Sequence, residues 1–227
     1  MGSQDTYNDC LQEMFGLRRF GIKLGLDTIR RILQAMQNPQ ERFAAIHVAG
    51  TNGKGSIASA LAAILKAAGL RAGLYTSPHL VRFNERICID GEQISDEEVV
   101  ASYQAVKAAK SGEREPTFFE YATAMAFDAF RRRGVAWAVI ETGMGGRLDA
   151  TNIIAPALSI ISNVSIEHEM YLGNTLAQIA AEKGGIIKPA TPVVTGVRQA
   201  PAVRVLEAIA GERGAPIFRL GKDFRVR

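Results

Sequence analysis

Ten residues, His47-Val48-Ala49-Gly50-Thr51-Asn52-Gly53-Lys54-Gly55-Ser56, constrain this chain more than any other part of it. They stand between an apolar run, Phe43 to Ala49, that reads as a short buried strand, and an Ala/Leu-rich run, Ile57 to Ala68, that reads as a helix stopped by Gly69. A turn of small residues at that junction lets backbone N–H groups point to one spot at a helix N-terminus, and a lysine within it reaches outer phosphates. The turn is therefore read as a phosphate-binding loop, with Gly50, Thr51, Asn52, Gly53, Lys54, Gly55 and Ser56 as candidate nucleotide contacts. The strict pattern for such loops is not met. Its first glycine would fall at Val48, and the hydroxyl residue due after the lysine is Gly55. A glycine-rich turn with a surface lysine is the plainer alternative, and the strand-to-helix context weighs against it.

The rest of the chain repeats the alternation. Asp27 is placed to cap a helix running to about Asn38-Pro39, and Ala72 to Tyr75 reads as a second strand. Arg86 to Ile94 looks like a hairpin with Asp90-Gly91 as a type I′ turn. Ser95 with Glu98, and Thr117 with Glu120, form capping boxes for two helices. The second helix carries Tyr121, Met125, Phe127 and Phe130 at core spacing. Ala136 to Ile140 and Leu158 to Ile161 are continuous apolar runs of the kind parallel sheets bury on both faces. Thr175 caps a helix through about Lys183, and Pro192 to Thr195, Ala202 to Ala210 and Pro216 to Leu220 continue the rhythm. With no repeat and no linker, the expectation is one α/β domain over 1–227, a doubly wound, mostly parallel sheet.

Composition excludes several classes. At 227 residues, 47% hydrophobic and 22% charged, the chain can bury a real core and is not disordered. No apolar run approaches the ~20 residues of a membrane span and no leader-like segment opens the chain, so a cytoplasmic protein with no membrane partner is expected. Cys10 and Cys88 have neither disulfide nor metal spacing and read as inert thiols. A net charge of +4 is no nucleic-acid footprint, although it suits small anionic substrates. The one dense basic run, Arg131-Arg132-Arg133, reads as a solvated helix C-terminus.

Polar residues gather where strands end, the place where open parallel sheets bind ligands. Thr76-Ser77-Pro78-His79 follows one strand, Glu141 to Asn152 another, and Ser162-Asn163 then Glu167-His168 a third. A carboxylate at a buried strand end needs compensation, which Arg147 or a magnesium ion beside phosphates would supply at Glu141. A single loop histidine such as His168 is more often polar surface. Its place in a row of strand-end sites makes it a candidate ligand.

Taken together, these residues resemble the folylpolyglutamate synthase/dihydrofolate synthase family, a branch of the Mur ligase superfamily. The matching pieces are Gly50 to Ser56, Thr76 to Leu80, Phe118-Phe119-Glu120, Glu141 to Asn152, His168 with Leu172 to Thr175, and Ile179 to Pro189, in the family's order. The resemblance implies the P-loop NTPase-like central domain of a Mur ligase. It implies ATP phosphates held around Lys54 and Ser56, one magnesium held by Ser77 and Glu141, and a second by His168 with Lys183 as a carbamylated lysine. Read without the resemblance, Lys183 is simply a cation at a helix C-terminus. Lys54, Lys183 and His168 become the implied catalytic set. Phe119, Asp149 and Ala150 match pterin-contacting positions, and Arg82, in the stretch Arg82 to Arg86, matches a substrate-side loop whose charges could equally be surface ion pairs. The implied reaction joins L-glutamate to dihydropteroate or a folate through an acyl phosphate.

Family members are about twice this length. The expectation is therefore an ATP-binding domain incomplete at its C-terminal end, without the glutamate-binding domain, binding ATP-magnesium weakly and forming the amide poorly on its own. The resemblance implies a monomer at full length, and an exposed sheet edge would let the shorter chain self-associate. The competing readings are a muramyl peptide ligase, an inactive nucleotide-binding module, and a different NTPase such as a GTPase-like switch, whose spacing Val48 and Gly55 break.

Overall fold

Six parallel strands form the body of one eight-stranded sheet, and each begins within one residue of where the apolar pattern places it. They are β1 (Ala44–Ala49), β2 (Ala72–Tyr75), β5 (Trp137–Glu141), β6 (Leu158–Ile161), β7 (Val193–Thr195) and β8 (Ile217–Arg219). β3 (Ile87–Ile89) and β4 (Glu92–Gln93) add an antiparallel edge, and the spatial order is β4-β3-β2-β5-β1-β6-β7-β8. This is a computed structural model describing residues 6–17, 23, 25–110, 112 and 114–225, so Val226 and Arg227 lie outside the described residues.

Register shows how the site is assembled. Val48 lies opposite both Glu141 on β5 and Ile160 on β6, so the loops leaving β1, β5 and β6 emerge side by side. Tyr75 pairs with Ile140, which brings the loop after β2 to the same end of the sheet.

The helices are α1 (Tyr7–Gly16), α2 (Asp27–Ala35), α3 (Lys54–Ala67), α4 (Asp96–Ala109), α5 (Phe118–Arg132), α6 (Glu169–Leu172), α7 (Leu176–Gly184) and α8 (Ala200–Glu212). α3 packs Ala58 onto Ile46, Val48, Val139 and Ile160. The alternate residues Ala45, Tyr75, Ala138 and Ile140 face a larger core built with α1, α2, α4 and α5. α7 and α8 close a third cluster over Ala49, Ile161 and Val193. Helices on both faces make the sheet doubly wound, as the alternation predicts. Phe127 and Phe130 on α5 are fully buried, each stabilising the fold by roughly 1.5–3 kcal/mol.

Local chemistry explains most boundaries. Both residues of the β3–β4 turn have positive φ, 53° at Asp90 and 80° at Gly91, as a type I′ turn requires. Ser95 with Glu98, and Thr117 with Glu120, make both bonds of their capping boxes. Asp27 does not act as a cap: it is the first residue of α2, behind Leu26, and no side chain caps that helix. The same helix stops at Ala35, earlier than Asn38, because Gln37 and Asn38 are left-handed. Arg131 and Arg132 are more than a solvated end. Both bond the carboxylate of Asp128, which is completely buried. No helix among the described residues is long and apolar enough to cross a membrane.

Candidate active site

The phosphate loop runs from the end of β1 into α3. Gly50 has φ 149°, and a Cβ there would stand 1.8 Å from Ser162 Oγ, so only glycine lets the β6 loop close in. Gly53, at φ 76°, turns the chain into α3 in a conformation that L side chains rarely adopt. Lys54 opens the helix and folds its Nζ back onto the Thr51 carbonyl at 3.1 Å.

Glu141 closes β5 directly beside this loop. Its carboxylate is 4% exposed and accepts a hydrogen bond from the Ser77 amide at 3.1 Å. A Cβ on Gly55 would lie 3.6 Å from Glu141 Oε2, which puts the carboxylate at the head of α3. Burial raises the Glu141 pKa, and the Ser77 amide and the Lys54 charge oppose that rise. Arg147 is not its partner, because that side chain is bonded to Glu182 at 2.8 Å.

A cavity of about 590 Å³ opens from this point. Thr51, Lys54, Ser77 and Pro78 line one end, with Glu167 and His168 beside them. Phe118, Phe119, Gly143, Met144, Asp149 and Ala150 line the other, and Lys23, Arg86 and Glu120 also reach it. Of the residues singled out from sequence, Lys54, Thr51, Ser77, Phe119, Asp149, Ala150 and His168 therefore share one space.

Two other residues singled out from sequence, Arg82 and Lys183, sit differently from what their sequence positions suggest. Arg82 does not line the cavity. Its side chain is 53% exposed and pairs with Asp96 at 2.6 Å. Arg86, four residues on, is the arginine that enters, 4% exposed, with its guanidinium 5.1 Å from the Phe118 ring centroid and Nε donating to His79 Nδ1 at 2.7 Å. Lys183 is no solvated helix-end cation. It is fully buried against Glu167, Nζ to Oε1 2.5 Å, and burial lowers its pKa while the Glu167 contact opposes the shift.

Asp149 is as much a frame as a wall. One carboxylate oxygen accepts the Gly143 and Met144 amides, each at 2.9 Å, and the other accepts the Thr151 amide and hydroxyl. These bonds use about the four lone-pair sites a carboxylate offers. Burial raises its pKa and the same bonds counter the rise. Behind it, Thr151 Oγ1 also meets His47 Nε2 at 2.8 Å, so the buried His47 of β1 braces the loop. Gly145 and Gly146 press this loop onto α7, where a Cβ on Gly146 would stand 2.8 Å from the Glu182 carbonyl.

Among the described residues, no three His, Cys, Asp or Glu side chains gather as a metal site of their own. The Glu141 carboxylate and Ser77, whose amide bonds it, stand beside the glycine-rich turn, and a carboxylate and a hydroxyl are oxygen ligands of the kind magnesium takes together with substrate phosphates. The residues present thus fit a magnesium–nucleotide pair better than a free ion.

Residues 48–223 match the model of the Mur ligase middle domain. The chain belongs to that family. It is 45% identical over 204 residues to a folylpolyglutamate synthase of Lacticaseibacillus casei, covering 87% of this chain and 48% of the relative. It is 39% identical over 221 residues to a dihydrofolate synthase/folylpolyglutamate synthase of Bacillus subtilis, covering 95% and 51%. The structure of E. coli FolC in complex with DHPP and ADP superimposes with a TM-score of 0.92 at 32% identity, covering 97% of this chain and 53% of that one. The chain thus spans about half the length of the relatives it matches, and those relatives are folylpolyglutamate and dihydrofolate synthases by name.

Sequence reasoning missed Glu167 as the partner of Lys183 and Arg86 as the cavity arginine. Nothing in the stretch Arg82-Phe83-Asn84-Glu85-Arg86 distinguishes its two arginines. In the structure Phe83 and Asn84 are buried, and Arg86 is buried with them while Arg82 is not.

Proposed function

We propose that this chain supplies the nucleotide and pteroate side of a cytoplasmic ATP-dependent ligase joining L-glutamate to dihydropteroate or a (tetrahydro)folate. The observation that carries the reading is that Lys54 and Glu141 both stand at the head of α3, close enough for the lysine charge to act on the carboxylate, where a cavity begins that ends against Phe118 and Phe119. A triphosphate laid on the loop would place its terminal phosphate beside the Glu141 carboxylate. A pteroate ring against the aromatic wall would aim its carboxylate back toward the same point.

Each group then has a task. The amides at the start of α3 and the Lys54 ammonium neutralise phosphate charge. Glu141 and Ser77 would hold one magnesium ion and His168 a second, with Lys183 as a carbamate ligand. Such ions would offset the charge of the phosphates. The low pKa direction of Lys183 favours the neutral amine that carbamylation needs. Phe119, Ala150 and Asp149 would contact the pterin directly or through the frame Asp149 builds, and Arg86 stands where the substrate carboxylate would lie. The γ-phosphoryl group passes to that carboxylate, giving an acyl phosphate. The amine of glutamate then displaces phosphate to form the amide. Positioning does most of the work, because a carboxylate needs only a leaving group and an aligned amine. The two E. coli FolC ligands, DHPP and ADP, are of the chemistry this reading requires.

Calorimetric titration of the chain with ADP, with and without magnesium, and with dihydropteroate is the test. Both ligands should bind, and Lys54→Ala should weaken ADP by on the order of tenfold or more while leaving dihydropteroate unaffected. Failure of the wild-type chain to bind either ligand at millimolar concentration would remove the proposal.

A further inference from the structure

The phosphate loop is held in shape by the segment that follows β6. Asn163 treats Asn52 as a strand partner would. Its Oδ1 accepts the Asn52 amide at 2.9 Å, its Nδ2 donates to the Asn52 carbonyl at 3.1 Å, and its own carbonyl accepts the Thr51 amide at 3.1 Å. Ser162 Oγ adds a donor to the Asn52 carbonyl at 2.7 Å, and Gly50 leaves the room for it. One residue earlier, Thr51 Oγ1 accepts the Ser165 amide at 3.0 Å and donates to the Ser165 carbonyl at 3.3 Å.

These bonds divide the loop into two parts. The amides of Thr51 and Asn52 are used up inside the protein. Those of Lys54, Gly55 and Ser56, at the first turn of α3, meet no backbone carbonyl among the described residues, as helix geometry requires of a first turn. The second group is placed to meet an anion.

We propose that Asn163 is a positioning residue for the nucleotide. It fixes Asn52 through that residue's own amide and carbonyl, and so through the two peptide units that flank it, which sets the angle at which the α3 amides and Lys54 meet phosphate. Thr51 and Asn52, which the loop's sequence marks as contacts, serve as its anchor points. The inference rests on the nucleotide reading above, yet the loop anchorage can be tested without any ligand. An asparagine suits the task because its carboxamide offers an acceptor and a donor in one plane, as a peptide does. Aspartate at that position would keep the acceptor, set a carboxylate against the Asn52 carbonyl and add negative charge beside the phosphate site.

The test combines amide hydrogen exchange, read by NMR on the unliganded chain, with ADP titration. In the wild type, the Thr51 and Asn52 amides should be protected and those of Lys54, Gly55 and Ser56 should exchange fast. Asn163→Ala should release Asn52 while leaving Thr51 largely protected, since its acceptor is a main-chain carbonyl. ADP affinity should fall about tenfold, dihydropteroate affinity should not move, and Asn163→Asp should cost more than Asn163→Ala. A merely structural role would move both ligands together. Should Asn163→Ala not fold, Thr51→Val removes the Ser165 link at nearly constant volume and should likewise weaken ADP alone. Fast exchange at Asn52 in the wild type, or unchanged ADP affinity in a folded Asn163→Ala, would overturn the assignment. Absence of ADP binding by the wild type would count against the nucleotide reading, and the exchange pattern would then judge the anchorage by itself.

Discussion

Gly143 lies so close to the ring of Phe119 that a Cβ on it would stand 2.5 Å from the ring's Cζ. The contact joins the loop after β5 to the first turn of α5 and fixes the ring as one wall of the cavity. Gly143→Ala should therefore push the ring from its place at an overpacking cost of about 1–3 kcal/mol. Its φ is not in the left-handed region, so the effect is steric rather than conformational. Dihydropteroate affinity should drop by about an order of magnitude while ADP affinity stays within about twofold. Equal affinities for both ligands in wild type and variant would show that the ring does not form the substrate wall.

His47 gives the fold a specific acid sensitivity. The imidazole is fully buried, and burial, helped by the Lys188 charge, pushes its pKa down to about 3. An unfolded histidine titrates near 6.5, so between those values the unfolded chain binds a proton that the folded chain refuses. The associated stability is complete above ~6.5 and is lost as pH falls toward 3, amounting to about 2 kcal/mol by pH 5. His47→Gln keeps a donor for Thr151 and cannot titrate. Urea unfolding at pH 7 and pH 5 should show the wild type losing about 2 kcal/mol more than the variant. Parallel losses would mean that His47 is already charged in the folded state.

Glu141→Gln separates stability from function. The buried carboxylate is compensated within the chain by the Ser77 amide and by the Lys54 charge, and a neutral isostere removes its desolvation cost. The variant should melt at the same temperature as the wild type or higher. Any strengthening of ADP binding by magnesium should disappear with the carboxylate. A lower melting temperature with magnesium dependence intact would make Glu141 a structural residue.

What the sequence made legible, and what it hid, divides along the range of the forces involved. Asp90-Gly91, the boxes at Ser95 and Thr117, and the strand runs are decided within a few residues, and the structure places them as the local chemistry predicts. Ser77, Asp149 and His168 follow strand ends in the sequence, and all three line one cavity. Partners far apart in the chain were another matter. Lys183 sits in the last turn of α7, where a cation belongs on local grounds, and only the packing of α7 against the 143–146 loop buries it beside Glu167. The glycines of that loop serve close packing on α7 and against Phe119, which depends on partners distant in the chain. The capping aspartate expected at Asp27 failed because cap position depends on where the preceding chain enters, which composition does not encode.

The two arginines of the loop after β2 give the sharpest contrast between position in sequence and position in space. Arg82 is half exposed, and its pair with Asp96 is the kind of surface contact worth about 0–1 kcal/mol. Arg86 is buried, spans the edge of the cavity and is held in plane by the Phe118 ring and the His79 nitrogen. Lysine cannot reproduce that geometry, because it has neither the Nε–H nor a flat face to lie against an aromatic ring. Arg86→Lys should thus weaken dihydropteroate about as much as Arg86→Ala, whereas Arg82→Ala should leave it within about twofold. Pteroate ligands with the carboxylate replaced by an amide test the reason. If Arg86 faces the carboxylate, the amide should bind the wild type poorly and lose nothing further in Arg86→Ala. An amide that binds the wild type as well as the acid does would instead leave Arg86 with a packing role beside Phe118.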